Sequence, residues 1–110
     1  MRLSDFDMTL SRRQVTSGRV SFRLENRGPT VHELVVARSD RSADDLPIGP
    51  DGLSVDEDHP AVHAMGEQEA VKLGDDQRLT LDLAPGHYVL FCNLGGHYMG
   101  GMHADLEVVA

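Results

Sequence analysis

The sequence predicts an all-β domain, an antiparallel sandwich or barrel of seven or eight short strands. Three observations support this fold class. Apolar and polar residues alternate over short segments, which is the period of a half-buried strand. Residues that form turns separate these segments at short intervals. Helical periodicity is almost absent, and only one short helical turn is expected, near residues 42–46.

The first part of the chain contains three of the expected strands. Residues 6–10, beginning with Phe6, alternate between apolar and polar side chains, and residues 19–25 do the same. A turn at residues 26–29 then precedes a third strand at residues 31–37, which is rich in β-branched side chains.

The strand pattern resumes in the second part of the chain. The candidates are residues 68–73, 78–83, 86–92 and 105–109. Residues 93–101 contain four glycines, and we expect them to form a loop.

Residues 39–62, called the excursion below, interrupt this rhythm. From Asp40 to Asp58 there are seven acidic residues and one basic residue, and proline and glycine are frequent. We expect a long, solvated acidic segment outside the strands, and a role in docking a partner stays open. The acidic spacing fits no EF-hand calcium loop.

Length, net charge and the first residues indicate what kind of protein this is. The 110 residues suggest one domain, residues 1–110. The formal net charge of −8 disfavours nucleic-acid binding and favours a soluble protein that is steered toward a basic partner. We expect a monomer. The first residues lack the apolar core of a signal peptide. The chain is therefore cytosolic, or an export signal or membrane anchor has been removed.

The segment Cys92 to Met102 carries the chemistry. Its Cys-x4-His-x4-Met spacing presents a thiolate, an imidazole (His97) and a thioether, and this set of soft or borderline ligands suits copper. Intervening glycines allow the loop to curl, so that three side chains converge. His32, at the start of a strand that can lie beside the one ending at Cys92, is the natural second imidazole. The predicted site binds one copper through His32, Cys92, His97 and Met102.

Other residues near the motif have less specific interpretations. Met99 is a rival for the thioether ligand, but a His-x-Met spacing is too tight to bring both side chains easily to one metal. His87 should point away from the face that carries Cys92. We expect four histidines to be surface or packing residues: His59, His63, His87 and His103. We expect small or apolar residues to leave the edge of His97 accessible: Leu94, Gly95, Gly96, Tyr98, Met99, Gly100 and Gly101.

The chain resembles the cupredoxins, the family of plastocyanin, azurin and sulfocyanin. The matching segments are residues 26–33, residues 85–92 and the Cys-x4-His-x4-Met loop, and the excursion is most similar to the sulfocyanin-like branch. The resemblance implies a Greek-key β-sandwich with one type 1 copper cycling between Cu(I) and Cu(II). It makes His32, Cys92 and His97 the equatorial ligands and Met102 the axial one.

The resemblance also implies a function and its setting. The expected protein carries one electron between a redox donor and acceptor, docks near His97, and works in the periplasm or outside the cell. Three residues depart from the family pattern: Glu33 where Asn is frequent, Asn93 where Ser or Thr is frequent, and Gly95 where Pro is frequent. These departures concern the surroundings of the ligands, which tune a redox potential.

Two other functions stay open at this point. A copper chaperone or storage module would need an exposed and exchangeable site. A domain of a multicopper oxidase or nitrite reductase would need further copper sites. The spare histidines form no His-x-His pair, and the single cysteine excludes the binuclear copper site that needs two. We therefore expect no enzymatic activity from this chain alone.

Overall fold

The computed structural model describes residues 1–4, 7–28 and 30–110. This part of the chain contains nine strands and one short helix, in this order: β1 Arg2–Ser4, β2 Asp7–Thr9, β3 Gln14–Thr16, β4 Gly18–Asn26, β5 His32–Arg38, β6 His63–Val71, β7 Asp76–Leu83, β8 Gly86–Phe91, α1 His97–Gly100 and β9 His103–Val109.

The strands form two sheets packed as a sandwich, which confirms the predicted fold class. One sheet has four strands in the order β2-β1-β4-β7, and the other has five in the order β3-β9-β8-β5-β6. Most neighbours are antiparallel, but β1 pairs with β4 and β3 pairs with β9 in parallel. The sheets are therefore mixed rather than purely antiparallel.

The strongest sequence patterns correspond to real strands. β4, β5, β7, β8 and β9 match five expected strands, with ends that differ by at most two residues. β6 begins at His63, five residues before the expected start at residue 68. Most described residues at the start of β6 are exposed, so this stretch lacks the apolar alternation that marks a half-buried strand.

The weaker expectations need correction. Phe6, which begins the first predicted strand, lies outside the described residues; the neighbouring residues form β1 and β2, which pair with each other. The three-residue strand β3 was not predicted, since it is too short to show a pattern. Residues 42–46 contain a turn closed by the Asp45 N–H on the Ser42 carbonyl at 3.0 Å, instead of a helical turn.

Alternate residues of the strands fill the space between the two sheets. β4 buries Val20, Phe22 and Leu24, while the residues between them are exposed. On β8, Tyr88 and Leu90 point inward, in the same core as Cys92. The thiol therefore lies at the end of a row of core side chains.

The outer face of the five-stranded sheet carries a second apolar cluster. β5 and β8 contribute side chains that are fully buried there, and the excursion covers them with residues of its own. The members are Val35, Ala37, Val89 and Phe91 from the strands, Ala43, Leu46, Val55 and Val62 from the excursion, and Tyr98 from α1. The excursion therefore packs as a layer on the sheet, whereas the sequence predicted a solvated segment.

Within the described residues, no helix has both the length and the apolar character needed to cross a bilayer.

Candidate metal centre

Strand pairing brings His32 and Cys92 to the same end of the sandwich. His32 is the first residue of β5, and Cys92 follows the last residue of β8. These two strands are antiparallel neighbours, with Val35 opposite Phe91. The start of one strand therefore lies beside the end of the other, as the sequence predicted.

Three donor atoms converge at this end. The Nδ1 atoms of His32 and His97 are 3.3 Å apart, and the Sγ atom of Cys92 is 3.5 Å from the Nδ1 of His97. All three potential ligand atoms lie within 4.8 Å of one another. His32 and Cys92 are fully buried, and His97 is partly exposed. One imidazole edge is thus accessible while the thiol is shielded.

The loop after Cys92 includes one helical turn, α1, where the sequence predicted a loop throughout. Gly96, with φ of 82°, caps its start and Gly101, with φ of 119°, caps its end, and both values lie in the left-handed region that favours glycine. The carbonyl of Met102 accepts a hydrogen bond from the Cys92 N–H at 3.1 Å. This hydrogen bond places the backbone of Met102 next to that of Cys92.

The two candidate methionines differ in position. Met102 is fully buried in the same core cluster as Cys92. Met99 lies on α1 with 59% of its surface exposed. Burial beside the thiol favours Met102 as the source of a thioether ligand.

The unusual residues Glu33 and Asn93 contact each other beside the thiol. The Glu33 N–H donates to Sγ of Cys92 at 3.4 Å, and the Asn93 N–H donates to the Glu33 carboxylate at 3.1 Å. Burial raises the pKa of the Glu33 carboxyl, and nearby Glu67, Glu57 and Glu69 raise it too, against the lowering effect of the Asn93 hydrogen bond.

The remaining histidines lie outside this donor cluster. His87 is on the outer face of its sheet, as expected, where its ring contacts the Ser39 carbonyl at 2.8 Å and Asp105 at 2.9 Å. The ring of His103 lies 5.1 Å from that of Tyr98. Tyr98 itself is buried. The expectation that it forms part of an accessible surface around His97 is therefore wrong.

The donor set fits a single type 1 copper. Two imidazoles and a thiolate, with a thioether on a buried neighbour, are acceptable to both Cu(I) and Cu(II). The three donors come from two segments, the start of β5 and the segment after β8, which the sandwich holds together. A chelating site therefore forms from the fold rather than from one local motif.

The two-sheet sandwich, with the His-Cys-His cluster at one end, has the cupredoxin fold. No family model matches the sequence, and no curated protein matches it either. Solved structures do match. Auracyanin from Roseiflexus castenholzii is similar over 99% of this chain and 95% of its own, with a TM-score of 0.67 and 20% identity.

Two further solved structures extend the likeness. Auracyanin A from Chloroflexus aurantiacus, described as a "blue" copper protein, covers 98% of this chain and 96% of its own, with a TM-score of 0.62 and 18% identity. Rusticyanin from Thiobacillus ferrooxidans covers 86% of this chain, with a TM-score of 0.59 and 15% identity, but only 58% of its own length is matched. These likenesses concern the fold.

Proposed function

We propose that this chain is a type 1 copper protein that carries one electron at a time between redox partners. The observation that supports it is the convergence of two imidazole Nδ1 atoms on the thiol of Cys92 at a sheltered end of a cupredoxin sandwich. When bound, copper supplies a one-electron couple between Cu(I) and Cu(II).

The chain's own residues have distinct roles in this proposal. His32, Cys92 and His97 would hold the copper, and Met102 would supply a thioether beside them. The two strands β5 and β8 hold His32 and Cys92 with little freedom, since both residues are fully buried. A held donor set needs little rearrangement when the charge of the metal changes.

Burial also favours a carrier over a copper chaperone. Exchange with a partner requires that ligands be reached from outside, whereas Cys92 and His32 have no exposed surface. His97 alone of the three is partly exposed. This asymmetry suits passage of an electron through the imidazole edge, with the metal retained. The chain by itself is proposed not to be an enzyme.

Copper loading tests the proposal directly. Cu(II) added to the metal-free protein should give an intense thiolate-to-copper band and narrow copper hyperfine splitting in electron paramagnetic resonance. Cys92→Ser should abolish the band, and reversible voltammetry should follow in the parent protein. A colourless product with ordinary Cu(II) hyperfine splitting would overturn the proposal.

Two methionine variants test which residue supplies the thioether. Met102→Gln should change the copper spectrum and the reduction potential, because an amide oxygen replaces the thioether next to Cys92. Met99→Leu is the matched control, since Met99 is largely exposed and should leave both properties unchanged. If only the Met99 variant changed the spectrum and the reduction potential, Met99 and not Met102 would be the thioether ligand.

We also propose that redox partners dock around His97 and that they are basic. Leu53 and Met99 are both more than half exposed, and the Leu53 carbonyl accepts a hydrogen bond from the Gly96 N–H beside His97. The net charge of −8 would attract a cationic surface. Electron self-exchange should be slower in Leu53→Glu and Met99→Glu than in the control Met65→Glu.

Small redox complexes test the charge preference. Salt should slow electron transfer with a cationic cobalt complex and accelerate it with an anionic iron complex. The opposite dependence would contradict a basic partner.

The remaining expectations are also proposals: one domain over residues 1–110, a monomeric state, and a periplasmic or extracellular location.

A further inference from the structure

Three residues of the ligand loop, residues 93–101, are hydrogen-bonded to the excursion. Asn93 contacts Val55, the Gly96 N–H donates to the Leu53 carbonyl at 2.9 Å, and Tyr98 contacts Ala43. Asn93 directly follows Cys92, and Gly96 and Tyr98 flank His97. The contacts therefore fall immediately beside both metal-binding positions of this segment.

Asn93 is joined to the excursion by its whole amide group. Its Oδ1 accepts from the Val55 N–H at 2.7 Å, and its Nδ2 donates to the Val55 carbonyl at 3.1 Å. The same Nδ2 donates to the Glu57 carboxylate at 2.7 Å. The side chain thus pairs with Val55 as a neighbouring peptide group would, and both of its N–H donors are used.

Tyr98 makes an equivalent pair of bonds at the other end of the loop. Its hydroxyl donates to the Ala43 carbonyl at 2.7 Å and accepts from the Leu46 N–H at 3.0 Å. Its ring packs edge-on against Phe91, with centroids 6.2 Å apart. Both anchors are therefore side chains of the ligand loop that satisfy a backbone donor and a backbone acceptor of the excursion.

We propose that the excursion is a brace for the ligand loop, and that Asn93 is a positioning residue that fixes Cys92 and His97 through it. The need for a brace follows from composition: four glycines give residues 93–101 wide backbone freedom, so contacts from outside must restrict it. The value of the brace for copper rests on the proposed function. The contacts themselves belong to the metal-free protein.

The chemistry of the anchor requires an amide. Serine in place of Asn93 offers a single short hydroxyl and cannot reach Val55 N–H, Val55 carbonyl and Glu57 together. Aspartate keeps the acceptor for Val55 N–H but loses both donors, and it sets a second carboxylate against that of Glu57. Both substitutions should release the excursion from the loop.

Amide hydrogen exchange in the metal-free protein tests the brace without copper. In Asn93→Ser, exchange at Val55 and Gly96 should accelerate about tenfold or more, because the bonds that hold the two segments together are lost. The amides of β4 should be unchanged. The matched control is Asp58→Asn, which alters an exposed carboxylate of the excursion. Faster exchange at Val55 with full protection of Gly96 would overturn the brace.

Copper binding then tests positioning. Asn93→Ser should bind Cu(II) about 10- to 100-fold more weakly and shift the thiolate-to-copper band, as expected for residues that orient metal ligands. Tyr98→Phe keeps the ring and removes only the hydroxyl, so it tests the second anchor if the first variant folds poorly. Parent-like affinity, band and reduction potential in both variants would overturn positioning. A parent protein without a thiolate-to-copper band would refute the copper function, while the exchange data would still decide the brace.

Discussion

The two sheets of this sandwich differ in how many of their faces are covered. The four-stranded sheet buries one face, and β4 alternates regularly between exposed and buried residues. The five-stranded sheet is covered on both faces at its centre, where Val35, Val36, Val89 and Leu90 are all fully buried. The proposed ligand His32 begins β5 of this sheet, and the proposed ligand Cys92 directly follows β8. Strands confined on both sides are suited to hold ligands still.

The largest expected effect comes from breaking the outer cluster. Phe91→Ala should lower the free energy of unfolding by about 3–5 kcal/mol, the usual cost of truncating a buried phenylalanine. Phe91 is fully buried and contacts the Tyr98 ring. Urea unfolding of the metal-free protein measures this change. A loss below about 1 kcal/mol would mean that the outer face is not a second core.

The next prediction separates the excursion from an ordinary loop. Leu46→Ala should cost about 2–5 kcal/mol, because its side chain is 5% exposed in the outer cluster. Leu53→Ala, in the same segment but 52% exposed, is the matched control and should cost about 0.5 kcal/mol or less. Equal costs, measured by urea unfolding, would contradict a packed excursion.

Local pattern was enough to predict several strands and three of the four proposed ligands. Alternation marks residues 19–25, and the Cys-x4-His-x4-Met spacing is contained in eleven consecutive residues. His32 needed one further step, the pairing of two hydrophobic strands. That pairing is a tertiary feature, but it could still be predicted because the sequence contains only a few candidate strands.

The outer cluster could not be predicted in the same way. Its excursion members, Ala43, Leu46, Val55 and Val62, are separated by acidic residues, prolines and glycines, and they follow neither a helical nor a strand period. The sequence signal for this cluster lies in the strands it covers, because β5 and β8 contain runs of consecutive apolar residues. Such runs indicate strands buried on both faces, which implies that some segment must cover the second face.

A pH-dependent contribution to the free energy of unfolding is expected where the excursion meets the five-stranded sheet. Burial lowers the pKa of His87, but hydrogen bonds to the Ser39 carbonyl and Asp105, together with the charges of Asp105 and Glu107, outweigh it and raise the pKa above the usual value. A raised folded-state pKa stabilises the fold fully below the unfolded value of about 6.5. That stabilisation disappears as the pH rises through the folded-state pKa.

His87→Gln measures this contribution. The parent should exceed the variant in unfolding free energy most at pH below about 6, by less than about 1 kcal/mol for a partly exposed pair, and this excess should decline above pH 6.5. Asp105→Asn should reduce the same pH dependence, since it removes the closest carboxylate, at 2.9 Å. A difference between parent and His87→Gln that grows with pH would show that the pKa is lowered instead.

The smallest effect is expected on the uncovered face of the four-stranded sheet. Ser21 and Thr80 are cross-strand partners whose hydroxyl oxygens are 2.7 Å apart, and both are exposed. Ser21→Ala should change the unfolding free energy by about 0.5 kcal/mol or less, because water replaces the lost partner. Set beside Phe91→Ala, this variant measures how much more a covered face contributes than a solvated one. A cost for Ser21→Ala near that of Leu46→Ala would mean that some other layer covers this face in solution, and the contrast between the two sheets would no longer hold.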